Sequence, residues 1–199
     1  LDLSNRDLRG ISLSNADLRG ANLSNSNLRW VVAIGADFRG ANLSGTSFER
    51  SKLNSSNFEG ATLRDTDFTL AIMSDTNFPE CNLQRCNLTN ANLFRTNLTE
   101  ANLSNITVTE GTKFDWATFR NCDLRSSNIG TGSLENVIFE GANLEGVTMS
   151  SWRMEGANFT RAKLKGSTID GIVVEHLTFD FADMREMKIT HSTIHSRVS

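Results

Sequence analysis

The chain has no tyrosine, one proline, three cysteines and a net charge of only −3 across 199 residues. Each shortage excludes something. So mild a charge gives no basis for a partner held by bulk electrostatics, whether nucleic acid or membrane surface, and binding to DNA itself is not expected. No run of 18 apolar residues occurs, so a membrane-spanning helix is not expected. The first residues already belong to the pattern described below, which leaves no room among them for a signal peptide. The sequence carries neither a glycine-rich phosphate loop nor a nucleophile elbow. Its acids are spread evenly, with no pair singled out for acid–base work. No cofactor or metal is expected, and an enzyme is not the reading that these absences favour.

What the chain has is a period of five. With Leu23 as the centre of Ala21-Asn22-Leu23-Ser24-Asn25, apolar residues recur at every fifth position from Leu3 to Val108, with only Ala33 small. A six-residue step across Thr109 to Lys113 leads to Phe114, and the series continues through Phe119, Leu124 and Ile129 to Ile194. Two places before each centre stands a small residue, and just before it Asp or Asn is favoured. Neither a helix at about 3.6 nor a flat strand at 2 explains this spacing, so a fixed structural repeat is required. The same regularity accounts for the abundance of Asn, Ser, Thr and Leu and argues against disorder.

Phenylalanines show how many repeats close one turn. Phe38, Phe58, Phe78, Phe119, Phe139, Phe159 and Phe179 are spaced by twenty residues, or by forty-one across Leu98 and the insertion. Stacked coils of four repeats would place like residues above one another. The expected fold is an all-β, four-sided parallel solenoid of about ten coils, roughly 45–50 Å long at the usual strand spacing. One domain over 1–199 is expected, with coils at 1–108, an insertion at 109–113 and coils at 114–199. Large residues at the small position late in the chain (Ile172, Leu177, Met187) predict a distorted or frayed last turn. The expectation for the ends is that both are uncapped, which would permit end-to-end or dimeric stacking.

The strings ADLRG, ANLSN, ADFRG, ANLSG, ANLTE and ANFTR resemble the pentapeptide-repeat family. That resemblance implies a right-handed quadrilateral β-helix with the centre and the small residue facing inward. It carries no catalytic residues.

Several chemical candidates reduce to structure. Cys81, Cys86 and Cys122 fall on the small inward position; Cys81 and Cys122 are two coils apart, roughly 10 Å, too far for a disulfide. Buried, reduced thiols are expected, which suits a reducing compartment such as the cytoplasm. His176, His191 and His195 lack zinc-site spacing. Trp152 replaces a small inward residue, and the pattern does not decide whether it points out or opens the coil.

Departures from the repeat are more informative. The sides are numbered here by their first centres, Leu3, Leu8, Leu13 and Leu18. Outward positions on and just before the third side hold Trp30, Val32, Ile34, Leu70, Ile72, Phe94 and Trp116. An exposed apolar strip edged by polar residues is what a partner site looks like; the alternative is that these side chains fold back over the corner or merely reflect decay of the repeat. Further along the same side Asp115, Glu135, Glu155 and Glu175 should form a column of acids about 5 Å apart, unless Arg153 and Lys113 relieve it.

Two functions follow. The first is a non-enzymatic scaffold presenting a flat face to an unidentified protein, as part of a secreted bacterial effector or of a multidomain protein. The second, implied by the resemblance, is a duplex-DNA mimic that protects a topoisomerase (gyrase), as the quinolone-resistance branch does. This chain departs from that branch in its weak charge and in lacking a terminal dimerising helix. A third arrangement, the β-helical domain of an enzyme whose chemistry lies in another segment, is also consistent with the repeat.

Overall fold

The five-residue period becomes a side and a corner. In the computed structural model, which describes residues 1–109, 111–130, 132–150, 153–171 and 173–195 (excepting the side chains of 130, 132, 173–175, 194 and 195), the chain winds as a right-handed four-sided parallel β-helix. Parallel bridges join Asp2 to Asn22, Asp7 to Asn27, Ser12 to Val32 and Asp17 to Asp37, one per side, so a coil takes twenty residues. The centre's N–H donates to the next coil, as from Leu3 to the Asn22 carbonyl at 2.7 Å. The residue before the centre donates to the preceding coil, as from Asn22 to the Leu1 carbonyl at 2.9 Å. Backbone polar groups are thereby paired between coils instead of facing the apolar interior.

In the first half each side contributes single bridges. Beyond the insertion the pairing lengthens into short strands: β1 (Thr112–Lys113), β2 (Asn128–Gly130), β3 (Gly132–Ser133), β4 (Thr148–Ser150), β5 (Thr168–Asp170), β6 (Val173–Glu175), β7 (Lys188–Thr190) and β8 (Thr193–His195). Side two carries the sheet β2-β4-β5-β7, and side three carries β1-β3 and β6-β8. All pairs are parallel, as coils wound in one direction must be.

Corners are β-turns closed from the small residue to the preceding centre, as in Ala16 N–H to the Leu13 carbonyl at 3.0 Å. Among the described residues the second residue after each centre has a positive φ, at every fifth position from Asn5 to Asn105 and again from Trp116 to His191, with 131 and 151 outside the described residues. A turn with a left-handed third residue suits Gly, Asn or Asp, because a Cβ crowds the following carbonyl there. Among the described residues, none of the non-glycine residues at these corners is Val, Ile or Thr, the types for which the conformation is a true outlier. At Gly45 an added Cβ would lie 2.5 Å from Oδ1 of Asn25 in the coil below, the tip of a side chain that can turn aside, so the φ of 68° rather than space is what favours glycine there. At the insertion, Asn92 bridges Lys113, a separation of 21, and the left-handed series resumes one residue late.

The Asp or Asn before each centre has a local role. Its side chain accepts from the N–H two residues on, as Asn22 does from Ser24 at 3.2 Å and Asn57 from Glu59 at 2.9 Å. This pins the chain into the turn. Where Arg follows the centre, the carboxylate also takes the guanidinium, at 2.7 Å in both Asp17–Arg19 and Asp183–Arg185. Hydrogen bonding from the arginine holds the Asp17 and Asp183 carboxyls down at about 2.

Inside, rings pile as expected. Phe38, Phe58 and Phe78 stack with centroids 4.7 Å apart, and Phe119, Phe139, Phe159 and Phe179 with 5.0–5.1 Å. A second pile, Phe48 on Phe68 at 5.5 Å, meets the first edge-on. Each buried ring contributes about 1.5–3 kcal/mol. The lone small centre, Ala33, and Val31 at the neighbouring small position are both fully buried.

Buried hydroxyls and thiols at the small position reach the centre carbonyl of the coil below. Thr46 donates to Leu23 O at 2.7 Å, Thr66 to Leu43 O at 2.9 Å, and Cys81 to Phe58 O at 2.7 Å. The three cysteines are free and buried, as expected. Desolvation pushes the Cys81 and Cys122 thiols up to about 12, and Cys86 higher still.

Over the described part of the last turn, 184–195, the expected fraying is not seen, and 196–199 lie outside the described residues. Leu177 is buried at the inward position, and β7 stays in register with β5. A wider residue is accommodated by the interior without breaking the ladder. Met187 packs half-buried against the core, and Ile172 lies outside the described residues.

Candidate functional site

The third side gathers the apolar departures, and the turn geometry decides how they project. Trp30 and Leu70 occupy the left-handed corner before it, and Trp116 the corner after it, with φ of 58°, 58° and 63°. At such a corner the Cβ leans away from the coil. Trp30 is 47% exposed and Trp116 56%; Ile34, Leu70, Ile72 and Phe94 are exposed too, and Val32 is half-buried. The structure brings Trp30, Val32 and Ile34 together in one coil and Leu70 with Ile72 two coils on. Phe94 and Trp116 flank an open groove that also includes Arg95.

The strip is interrupted by cations that the apolar pattern did not reveal. Lys52 bridges both Val32 and Ile72 and so separates them by one coil, and Lys113 takes the same place above Asn92. Arg50 stands at the corner between Trp30 and Leu70. Arg29 lies 5.0 Å from the Trp30 ring and pairs with Glu49 at 2.5 Å; Arg50 approaches the same carboxylate at 3.5 Å. Arg95 pairs with Asp75 at 2.9 Å and lies 6.0 Å from the Phe94 ring. One face of Trp30 thus carries the Arg29 guanidinium, while about half the side chain stays open.

Asp115, Glu135 and Glu155 do lie in consecutive coils, joined through Trp116 N–H to Glu135 O at 2.8 Å and Asn136 N–H to Glu155 O at 2.7 Å. They are not a bare acidic ladder. Asp115 accepts from the Ser133 hydroxyl and from the Glu135 N–H at 3.1 Å, and Glu135 pairs with Arg153 at 3.3 Å. Arg153 relieves the column as anticipated; Lys113 forms no ion pair among the described residues. The Glu175 side chain and all of Trp152 lie outside the described residues.

His191 Nδ1 lies 2.8 Å from Asp170, which also accepts from Thr190 at 2.5 Å. Those contacts hold the Asp170 carboxyl below its usual range, the threonine bond first and the histidine second. His176 sits at a left-handed corner, and the side chain of His195 is not described. Among the described residues no group of three or more His, Cys, Asp or Glu is placed to hold a metal ion. No helix among them is long and apolar enough to cross a membrane.

Sequence reasoning missed Phe181, 87% exposed at a left-handed corner off the third side, as well as the intervening cations. The signal for Phe181 was its phase: two places after a centre, where Gly and Asn prevail.

Among solved structures the chain is similar to Rfr23, a pentapeptide repeat protein from the cyanobacterium Cyanothece 51142, at 23% identity over 56% of this chain and 86% of that one (TM-score 0.46). It is also similar to HetL, a pentapeptide repeat protein involved in heterocyst differentiation regulation in Nostoc sp. strain PCC 7120 (19% identity, 96% and 89% of the chains, TM-score 0.32). A third is QnrB1, a plasmid-mediated fluoroquinolone resistance protein (16% identity, 96% and 92%, TM-score 0.39). No curated protein matches. The pentapeptide repeats family matches in eight copies over residues 2–32, 34–69, 71–109 and 133–166. With that match across most of the coils, and side, corner and stacked centre repeating as described, the chain belongs to the pentapeptide-repeat family.

Proposed function

We propose that this chain is a non-enzymatic scaffold domain, working in the cytoplasm or as part of a bacterial effector, that presents its third side to a partner protein. The observation that carries the reading is the exposure of Trp30, Leu70 and Trp116 at left-handed corners. A bulky side chain there costs about 1–2 kcal/mol relative to a conformation it favours, and its exposed surface gains no burial in the isolated chain. Exposed, strained and aromatic residues together are typical of contact anchors. A single long core with regular backbone pairing supports a rigid platform. Such a face needs little ordering on binding, which favours affinity.

A duplex mimic has less to rest on. Its support is the acid column, in which Asp115 and Glu135 are already engaged by Ser133 and Arg153. The test is capture of partners by purified wild type against a Trp30→Ser, Ile34→Ser, Leu70→Ser variant, with a supercoiling assay alongside. Loss of a specific partner with an unchanged melt is expected. Equal capture by the variant overturns the reading, and inhibition of gyrase would replace it with the duplex mimic.

A further inference from the structure

The charges left over on the third side bear on what kind of partner it takes. Glu49 is shared by Arg29 and Arg50, and Asp75 is taken by Arg95. Lys52 and Lys113 are exposed and have no anionic partner among the described residues. Both stand in one column, three bridges apart, with Ile72 between them and Val32 below. With Asp115 beside Lys113 counted as well as Glu49 and Asp75, Arg29, Arg50, Lys52, Arg95 and Lys113 still leave the apolar strip of a chain that is acidic overall with a local excess of two cations.

We infer that the occupant of this side is an amphipathic helix of another protein whose apolar stripe is flanked by Asp or Glu. The inference rests on the partner-binding reading above and deepens it. The apolar rows at Val32 and Ile72 are two coils apart, about 9.6 Å. Two turns of helix advance about 10.8 Å, so apolar residues at i and i+7 match those rows. One further apolar side chain fits the groove between Phe94 and Trp116. Lys52 stands between Val32 and Ile72 in one column, so the stripe lies to the side of that column, toward Ile34 and Phe94, and carboxylates on its flank meet Lys52 and Lys113.

Nucleic acid is the competing polyanion and is disfavoured here. Phosphate recognition draws on many cations and little apolar surface, whereas this strip has two lysines without an anionic partner among the described residues, set among exposed Ile, Leu, Phe and Trp side chains.

The test uses two fluorescein-labelled helical peptides of roughly 16 residues. They share Leu and Phe at i, i+3, i+4 and i+7; the remaining positions are Glu-rich in one and Lys-rich in the other. A DNA duplex of similar length is the third probe. Binding to the intact protein is followed by anisotropy at about 50 mM and about 500 mM salt. The Glu-rich peptide is expected to bind at least tenfold tighter than the Lys-rich one, with the advantage shrinking at high salt. Lys52→Glu with Lys113→Glu should invert the preference and leave the melt unchanged. Equal or tighter binding of the Lys-rich peptide overturns the acidic-helix inference while leaving a partner site on this side intact. Tighter binding of DNA, no binding of either peptide, or indifference to the double charge reversal also overturns it. Failure of the underlying site reading looks different: the Trp30, Ile34 and Leu70 serine variant would then retain its partner.

Discussion

Replacing Trp116 by Asn and, separately, by Val isolates the corner constraint. Trp116 has φ of 63° and is 56% exposed. Both replacements forfeit the same indole contacts, so the difference between them reports the backbone. Asn visits the left-handed region readily, and the corners at Asn5, Asn15, Asn25, Asn90 and Asn121 already use it. Val, branched at Cβ, meets the following carbonyl and should be less stable than Asn by about 1–2 kcal/mol. For a chain of this size that is a gap of about 2–8 °C in melting temperature, at roughly 2–4 °C per kcal/mol. Thermal melts followed by circular dichroism measure it, and Asn25→Val at a different corner should lose a similar amount. Both Trp116 variants should weaken partner binding, whereas Asn25→Val should not. A Val variant melting with or above the Asn variant would refute the argument that the corner is held left-handed. Equal loss of binding in Asn25→Val would refute the separation of corner geometry from partner contact.

Three further outcomes are expected. Phe58→Ala should cost about 3–5 kcal/mol in urea denaturation, because stacked rings 4.7 Å above and below fix the hole open; Phe58→Leu should cost under about 1.5 kcal/mol, since Leu98 already occupies that column. Val31→Ala should cost about 2 kcal/mol and Ala33→Leu about 1–3, whereas the double variant should recover at least about 1 kcal/mol relative to their sum; strict additivity would show that the two positions do not share one space. Stability should fall at alkaline pH. The Cys81 thiol is pushed from 9.0 up to about 12, so the unfolded chain ionises first and the contribution present below pH 9 is lost as pH rises toward 12. Cys81→Thr keeps the donor that Thr66 and Thr96 supply at the same phase. It should flatten that decline, and an unchanged alkaline profile would show that the thiol is not held neutral by the coil.

Much of the architecture was legible because one physical rule repeats. A side chain every five residues must be buried, and four such steps return the chain to the same side. Those facts placed the phenylalanine piles at Phe38–Phe78 and Phe119–Phe179, the inward cysteines and the one-residue insertion before Phe114. The third-side strip was found through hydrophobicity alone, which marks Trp30, Ile34 and Trp116 but is silent on Lys52 and Lys113. Their importance depends on which anions are already taken.

The sequence by itself determined the period, the residues that face inward and the stacking of like on like, because hydrophobic burial at fixed spacing admits few alternatives. Only the tertiary structure decided that the described residues two places after a centre are left-handed and that Ser133 and Arg153 engage the acid column. The engagement of the column depends on atoms eighteen residues away in sequence and one coil away in space, and each corner is a local turn held between backbone bonds to neighbouring coils that linear order keeps apart.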